Sequence, residues 1–254
     1  MCDTCGCGDP EVIPLHVQEH LLAENDRIAG HNREHFAEHR VLAVNLMGSP
    51  GSGKTALLEA TSRALGGRLS LAAVSGDLAT DRDAERLRAA GIPAGTITTG
   101  SACHLDARLV HHALHDFEFD DVDLFFIENV GNLVCPAIYD LGQSVNVVAL
   151  SVTEGDDKPL KYPVMFRNAD LVVLTKVDLL PHLPQVSVLR IEDALARTMP
   201  EPRMIRVSAT TGEGVDEWIK WLDARRATMP RVPAHAVAHA HEHPHALADR
   251  HHHE

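Results

Sequence analysis

The chain has 254 residues, of which 36 are acidic and 23 are basic, so its formal net charge is −13. A nucleic-acid-binding surface concentrates Lys and Arg on one face, and the acidic balance argues against that class. Hydrophobic residues make up 44% of the chain, which excludes a wholly disordered protein. The length fits one substantial α/β domain with tails.

Cysteine and histidine usage points to metal binding. Five cysteines is an odd number, and three of them fall within residues 2–7, too close together for a disulfide framework. The 18 histidines add to this, because imidazole is the commonest metal ligand among side chains. No apolar run approaches the roughly 18–20 residues that span a bilayer, and the first residues do not resemble a secretory signal. We therefore expect a cytoplasmic protein with reduced thiols and no membrane partner.

Periodicity divides the chain into three segments. Residues 1–39 are predicted to form a Cys-rich N-terminal arm followed by an amphipathic leading helix over residues 17–39. Residues 40–228 alternate apolar strands with helical segments. Residues 229–254 lose the pattern, and eight histidines lie within residues 235–254, which is typical of a low-complexity, disordered tail.

The middle segment predicts an α/β fold. Nearly continuous apolar strands that alternate with helices are typical of a predominantly parallel sheet with helices on both faces. Ligands of such folds bind beyond the carboxyl ends of the strands. The predicted strands are residues 41–47, 69–74, 124–127, 145–152, 171–174 and 204–207. The predicted helices are residues 55–65, 81–90, 105–117, 188–199 and 215–227.

A phosphate-binding loop lies between the first predicted strand of this domain and the following helix. Its sequence matches G-x-x-x-x-G-K-[ST], in which backbone N–H groups and the helix N-terminus bind phosphate. Lys54 is predicted to reach the β- and γ-phosphates and Thr55 to bind Mg²⁺. The pattern predicts a P-loop NTPase. The loop residues are Gly48, Ser49, Pro50, Gly51, Ser52, Gly53, Lys54 and Thr55.

Two acidic residues follow predicted strands on the phosphate side of the sheet. Glu128 ends one strand and is expected to bind Mg²⁺ or its waters, and Asp77 follows another and could orient that water shell or the attacking water. Each could instead be a solvated loop acid or a helix cap. Together with Lys54 they form the predicted catalytic set.

Two further elements predict the base. Thr175-Lys176-Val177-Asp178 resembles the N-K-x-D element of guanine-nucleotide GTPases, with Thr175 in place of Asn. A carboxylate at Asp178 accepts hydrogen bonds from guanine N1 and N2, which adenine cannot donate, so GTP is expected over ATP. The segment Ser208-Ala209-Thr210 resembles the companion S-A-x element of the same proteins.

A metal site is predicted from Cys103, His104 and Cys135. Thiolate and imidazole are the usual donors for Zn²⁺ and Ni²⁺. We expect Cys103 and His104 at the start of the helix of residues 105–117, whose N-terminus would favour the thiolate. Cys135 continues from the loop that begins at Glu128. The alternative is two buried structural cysteines and a surface histidine.

Other histidines recur at helical spacing. His111 and His115 follow His104 by seven and eleven residues, which would place all three on one helical face. His31, His35 and His39 are spaced at i, i+4 and i+8 on the leading helix. They could be auxiliary ligands. A solvated polar helix face, or for the first pair a dimer contact, is the favoured interpretation.

The two ends of the chain carry further candidate ligands. Cys2, Cys5 and Cys7 form a C-x-x-C-x-C pattern whose three thiolates, with an α-amine, suit Ni²⁺. The alternative is an exposed and merely reactive segment. The histidines of residues 235–254 are expected to bind Ni²⁺ or Zn²⁺ weakly, and the alternative for them is a solubilising tail.

Several of these motifs together resemble one family. The Cys-rich head, the P-loop and residues 21–26, 103–107, 128–136 and 151–163 are similar to the hydrogenase nickel-incorporation GTPase family HypB, of the SIMIBI class of P-loop GTPases. The resemblance runs from residue 2 to about residue 227. Departures are Thr175 and the placement of the His-rich segment at the C-terminus.

The resemblance implies a function. It implies a GTP-hydrolysing metallochaperone that inserts nickel into the large subunit of [NiFe]-hydrogenase, with GTP, Mg²⁺, Ni²⁺ and Zn²⁺ as cofactors. It implies a nucleotide-dependent homodimer whose interface metal site is carried by Cys103, His104 and Cys135, and a HypA-type accessory protein as partner. Slow turnover is expected, because no arginine finger or positioned Gln is evident. The alternatives are a nickel storage protein, or a GTPase that serves another nickel enzyme such as urease.

Overall fold

The structure is a computed structural model that describes residues 15–77, 80–100 and 102–229. The predicted ligands Cys2, Cys5 and Cys7 and the histidines of residues 235–254 lie outside the described residues. Of the helices that are described, none is long and apolar enough to cross a membrane.

Seven parallel strands form one sheet in the order β3-β2-β4-β1-β5-β6-β7. The prediction of an α/β fold with a predominantly parallel sheet is confirmed. The strands are β1 Leu42–Met47, β2 Leu71–Asp77, β3 Ala94–Thr98, β4 Leu124–Glu128, β5 Val145–Ser151, β6 Leu171–Thr175 and β7 Met204–Val207.

Helices cover both faces of this sheet. Short 3₁₀ turns at Cys135–Ala137, Val152–Glu154 and Val177–His182 follow strands β4, β5 and β6. The α-helices are α1 Leu15–Glu38, α2 Lys54–Leu65, α3 Arg82–Ala89, α4 Ala107–Leu114, α5 Lys158–Lys161, α6 Pro163–Arg167, α7 Val188–Thr198 and α8 Val215–Ala227.

Side-chain alternation along the central strand β1 explains the two-sided core. Leu42, Val44 and Leu46 point to the face covered by α2 and α8, where Trp218 is fully buried. Ala43 points to the opposite face, which α1 and α4 cover. Successive residues of a strand face opposite sides, so a strand that is buried on both sides is mostly apolar. Five of the six residues of β1 are apolar, and the exception is the buried Asn45.

Several elements differ from the sequence prediction. The short helices α5 and α6 were not predicted, and α1 begins at Leu15 and ends at Glu38, whereas residues 17–39 were predicted. The edge strand β3 was not predicted, because only Ile97 in it is fully buried and the sequence lacks a continuous apolar run. Strand β2 spans Leu71–Asp77 and not the predicted residues 69–74, so Asp77 is the last residue of the strand and does not follow it. Helix α4 begins at Ala107 and not at residue 105, because the Asp106 side chain accepts a hydrogen bond from the backbone N–H of Leu109 and caps the helix.

Candidate functional site

The predicted phosphate loop connects β1 to α2 at the carboxyl edge of the sheet. Gly53 caps α2 with φ 91°, a left-handed conformation that side chains disfavour. The buried Lys54 side chain folds back over the loop, and its Nζ donates to the carbonyls of Gly48 at 3.3 Å and Ser49 at 3.2 Å. Burial lowers the pKa of Lys54, and the nearby carboxylate of Glu128 opposes this shift. The loop therefore places an ammonium group where phosphate oxygens would bind.

Three oxygen ligands converge beside Lys54. The Thr55 hydroxyl lies 2.7 Å from Glu128 Oε1 and 3.0 Å from Asp83 Oδ1. Glu128 is only 2% exposed, and burial raises its pKa to about 7. Its second oxygen, Oε2, is buried and has no hydrogen-bond partner among the described residues. Hard oxygen donors with an unsatisfied carboxylate fit a Mg²⁺ ion.

Asp83 was missed by sequence reasoning. It lies in the first turn of α3 and not at a strand end, so the rule that places ligands at strand ends did not select it. A cluster of acids between β2 and α3, namely Asp77, Asp81 and Asp83, was the available signal.

A cavity of about 450 Å³ surrounds these groups. Asp77 lines it, and its carboxylate accepts a hydrogen bond from the Thr80 hydroxyl. Arg86 also lines it, but its Nε and Nη2 each lie 3.1 Å from a carboxylate oxygen of Glu59. The cavity thus gathers the predicted catalytic set, Lys54, Asp77 and Glu128, in one place.

A second cavity, of about 250 Å³, opens beside the end of β6. Asp178, Ala209 and Thr210 line it, as the base-binding prediction requires. Ser208 does not line it, because its side chain is buried and its Oγ accepts a hydrogen bond from the N–H of Thr211 at 3.1 Å. Its contribution is therefore to hold the turn that presents the next two residues.

Thr175 and Lys176 connect the base cavity to the phosphate loop. The Thr175 hydroxyl donates to the Ser52 carbonyl at 2.6 Å. Lys176 has φ 59°, and its Nζ donates to the Gly51 carbonyl at 2.7 Å. Thr175, which replaces the Asn of the N-K-x-D element, therefore bonds to the phosphate loop through its hydroxyl group.

The predicted metal ligands come together. The Sγ atoms of Cys103 and Cys135 are 3.0 Å apart, and Cys103 Sγ lies 3.9 Å from His104 Nδ1. One ligand atom from each of the three lies within 4.8 Å of the others, so a single ion can contact all three. Two sulfur donors and one nitrogen donor suit Zn²⁺ or Ni²⁺ and leave a tetrahedral shell one ligand short.

His104 is fixed in place for this role. It is buried and stacks on Tyr139, with ring centroids 4.0 Å apart. Burial lowers its pKa, which keeps the imidazole neutral and able to bind a metal. The predicted position of Cys103 and His104 at a helix start is wrong, because α4 begins at Ala107. Both residues precede the helix, so His104 does not share a helical face with the histidines of α4.

One loop, residues 128–135, connects the two sites. Asn132 forms an isolated antiparallel bridge with Gly48 of the phosphate loop, and its side-chain amide donates to the Cys103 carbonyl at 3.1 Å. A Cβ atom at Gly131 would lie 2.8 Å from the backbone nitrogen of Pro50, so the two loops pack too closely for any side chain there. Short, direct contacts therefore connect the phosphate loop to the loop that ends at Cys135 and to the backbone of Cys103.

Comparisons with known proteins identify one family to which the chain is similar. The family model described as "CobW/HypB/UreG, nucleotide-binding domain" matches residues 42–205. A hydrogenase maturation factor HypB from Azotobacter vinelandii is 50% identical over 226 residues, which cover 88% of this chain and 73% of that protein.

Two solved structures are similar in both fold and sequence. The crystal structure of hydrogenase maturation factor HypB from Archaeoglobus fulgidus has a TM-score of 0.74 and 44% identity, and covers 81% of this chain and 100% of that one. The structure of HypB from Helicobacter pylori in complex with nickel has a TM-score of 0.76 and 38% identity, and covers 80% and 95%. The chain therefore belongs to the HypB family of hydrogenase maturation factors, which are P-loop GTPases.

Proposed function

We propose that this chain is a GTP-hydrolysing metallochaperone that binds nickel and helps to insert it into [NiFe]-hydrogenase. The observation that carries the proposal is the loop of residues 128–135, because it holds a buried carboxylate of the phosphate site at one end and a thiol of the metal site at the other. A relative of the same family has been solved in complex with nickel, which supports nickel as the cargo.

The phosphate cavity is proposed to bind GTP with Mg²⁺. Thr55, Glu128 and Asp83 are the proposed ligands, directly or through water, and Asp77 is proposed to orient the water shell. Mg²⁺ at this position would neutralise charge that develops on the phosphate oxygens. Lys54 stabilises the same charge from the other side. We expect slow intrinsic turnover, because the guanidinium of Arg86, which lines this cavity, is paired with Glu59.

The metal site is proposed to lie at the interface of a homodimer. The large apolar side chains of Val134 and Ile138 lie on either side of Cys135 in the sequence, with 54% and 51% of their surfaces accessible, and exposed apolar side chains beside the site favour a protein contact. Cys103, His104 and Cys135 would bind Ni²⁺ or Zn²⁺, and water or a ligand from the second copy would complete the shell.

GTP binding and metal binding are proposed to be coupled. Bound γ-phosphate orders the loops at Asp77 and Glu128, and its loss on hydrolysis relaxes them. Because Asn132 bonds to both the phosphate loop and the Cys103 carbonyl, this relaxation displaces the metal ligands and releases nickel.

The remaining assignments belong to the same proposal. Cys2, Cys5 and Cys7 are proposed as a second nickel site. The proposed partners are a HypA-type nickel accessory protein and the hydrogenase large subunit, and the proposed location is the cytoplasm. The net charge of −13 agrees with the absence of a nucleic-acid partner.

Nickel release during turnover tests the proposal. We expect the full-length protein, loaded with Ni²⁺ and mixed with GTP and Mg²⁺, to transfer nickel to a colorimetric chelator at a rate that tracks phosphate release. The Asn132→Ala variant should hydrolyse GTP but release nickel slowly. The matched control is Asn168→Ala. In the wild type the Asn168 amide donates to the carbonyl of Ala137, at the end of the 3₁₀ turn Cys135–Ala137. Equal release with GTP and with a non-hydrolysable analogue would refute the proposal.

A storage protein is the rival function that the eight histidines of residues 235–254 favour. If GTP served only as an assembly signal for storage, deletion of these residues would remove most of the bound metal. A chaperone would keep its GTP-dependent nickel release after the same deletion. In a third possibility, the chain is a GTPase that delivers nickel to another enzyme, such as urease. Offering the released nickel to apo-hydrogenase and to apo-urease distinguishes the two clients.

A further inference from the structure

Arg86, on helix α3, brings a guanidinium group to the phosphate cavity. Its Nε and Nη2 donate to the two carboxylate oxygens of Glu59, each at 3.1 Å. The remaining nitrogen, Nη1, lies 3.7 Å from Oδ1 of Asp83, and that same oxygen accepts a hydrogen bond from the Thr55 hydroxyl at 3.0 Å. Two short contacts therefore join the guanidinium to Thr55, in the site where the phosphates of GTP are proposed to bind.

Glu59 holds this guanidinium one helical turn away from the start of α2. It lies four residues after Thr55, so the two side chains share one face of the helix. Four residues rise about 6 Å along a helix axis, a distance that an arginine side chain spans by changing its torsion angles. The Arg86 side chain is 49% exposed, so this movement requires no repacking of the core.

A guanidinium group suits a phosphate as well as it suits a carboxylate. Its planar fork binds both groups through two parallel hydrogen bonds. During phosphoryl transfer, negative charge spreads over the γ-phosphate oxygens, and an arginine of the same chain or of a partner commonly stabilises it. Among the described residues that line the phosphate cavity, Arg86 is the one arginine. The fork that now holds Glu59 can therefore serve the γ-phosphate.

We propose that Arg86 is a catalytic residue of GTP hydrolysis and that Glu59 holds it away from the nucleotide between turnovers. The inference rests on the proposed hydrolysis of GTP. A water oxygen bonds to the γ-phosphorus while the bond from that phosphorus to the β–γ bridging oxygen breaks, and GDP leaves with the electron pair of that bond. One water proton moves to another oxygen of the released phosphate. Arg86 stays protonated and donates to the γ-phosphate oxygens as the charge develops.

The ion pair between Arg86 and Glu59 exchanges easily. The Glu59 side chain is 21% exposed and the arginine is more so, and water competes for ion pairs of this kind. The rate of hydrolysis then depends on the fraction of molecules in which Arg86 has left Glu59. Turnover is therefore slow while this pair forms, and a change that weakens the pair should increase it.

Steady-state GTP hydrolysis by the full-length protein, with Mg²⁺ and without Ni²⁺, tests the catalytic role. We expect Arg86→Ala to lower kcat at least about tenfold and to change KM much less, because the lost contact forms mainly in the transition state. Added guanidinium ion should restore part of this loss. The matched control is Arg88→Ala, which changes an exposed arginine of the same helix whose Nη1 donates to the Ala94 carbonyl, and it should keep the wild-type kcat.

Removal of the charge on Glu59 tests the restraint. Glu59→Gln should raise kcat about threefold or more, because more molecules have Arg86 at the nucleotide. The double variant Glu59→Gln, Arg86→Ala should be no faster than Arg86→Ala alone, because Glu59 acts through that arginine. Glu85→Gln removes the same charge from an exposed position of α3 and should leave kcat unaltered.

Binding of a transition-state analogue distinguishes contact with the phosphate from a merely structural role. GDP with aluminium fluoride mimics the γ-phosphoryl group in transfer. We expect Arg86→Ala to weaken binding of this analogue at least about tenfold and to leave the affinity for GDP alone unaltered. The unaltered GDP affinity also shows that the variant is folded.

Three results would overturn the inference. They are a wild-type kcat in Arg86→Ala, an equal loss of affinity for GDP with and without aluminium fluoride in that variant, and a kcat of Glu59→Gln no higher than that of the wild type. A wild-type protein that hydrolyses no GTP would instead refute the proposed function. Because these assays contain no nickel, their outcome is separate from that of the nickel-release experiment.

Discussion

At the residue scale, we propose that the choice of nucleotide depends on one carboxylate, that of Asp178. Asp178 lines the base cavity, and replacement by Asn keeps its size but exchanges one acceptor for a donor. We expect Asp178→Asn to weaken GTP binding roughly 10- to 100-fold, because guanine donors lose their acceptor. Xanthine carries an acceptor where guanine has its N2 amino group, so XTP binding should improve.

Equilibrium titration with fluorescent GTP and XTP measures this exchange. The control is Asp193→Asn, an exposed acid on α7 that pairs with Arg197. If Asp178→Asn kept the wild-type preference for GTP over XTP, the Asp178 carboxylate would not be the group that recognises the guanine base.

As the proposed Mg²⁺ ligand, Glu128 should make Mg²⁺ binding depend on pH. Burial raises its pKa from 4.5 to about 7 in the nucleotide-free protein, so a proton competes with the ion. We expect the Mg²⁺ affinity of the protein with bound GDP to rise as pH increases from about 5.5 to 8, approaching tenfold per unit well below the pKa. Glu128→Gln should bind Mg²⁺ weakly with little slope, whereas Asp83→Asn should keep the slope. A steep slope in Glu128→Gln would contradict this assignment.

The same shift affects folding stability in the opposite direction. Because the folded-state pKa lies above the unfolded value, protonated Glu128 stabilises the nucleotide-free fold below pH 4.5, and this contribution is lost as pH rises through about 7. Urea unfolding of the Mg²⁺-free protein at several pH values measures it. Glu128→Gln, which is neutral throughout, should lose this part of the pH dependence.

At the element scale, the proposed coupling depends on the close packing of the phosphate loop against the loop of residues 128–135. Gly131→Ala places a Cβ atom 2.8 Å from the Pro50 nitrogen, so one loop must move. We expect this variant to lose about 1–3 kcal/mol in the free energy of unfolding and to bind both GTP and Ni²⁺ more weakly. Gly30→Ala in α1, where a Cβ meets nothing within 4 Å, is the matched control and should not be destabilised. If Gly131→Ala bound GTP and Ni²⁺ with wild-type affinity, the close packing of the two loops would not contribute to either site.

The sequence predicted those elements that carry a local signal. The P-loop pattern, six of seven strands and the grouping of Cys103, His104 and Cys135 follow from motifs and apolar runs. Asp83 and the strand β3 were missed. The acids near Asp83 gave only a weak signal, and both a helix acid and a half-exposed edge strand acquire their position from neighbours distant in sequence. The start of α4 was predicted two residues too early, at the apolar Leu105, because the capping role of Asp106 was not recognised.

At the scale of the whole molecule, the sheet order places both sites on neighbouring strands. β1 carries the phosphate loop and pairs with β4, which leads into the loop of residues 128–135. Energetic coupling between two sites requires a connecting element with more than one arrangement, and this loop is the proposed element. Coupling must be reciprocal, so the nucleotide changes metal affinity by the factor by which the metal changes nucleotide affinity.

The Ni²⁺ affinity of the site formed by Cys103, His104 and Cys135, measured with GDP and with a non-hydrolysable GTP analogue, tests this coupling most directly. The Cys103→Ala, Cys135→Ala double variant supplies the background from all other sites. The account predicts that the two affinities differ by between about 5- and 150-fold, and that Ni²⁺ changes the relative affinity for the two nucleotides by the same factor. Equal Ni²⁺ affinity in the two nucleotide states would contradict it.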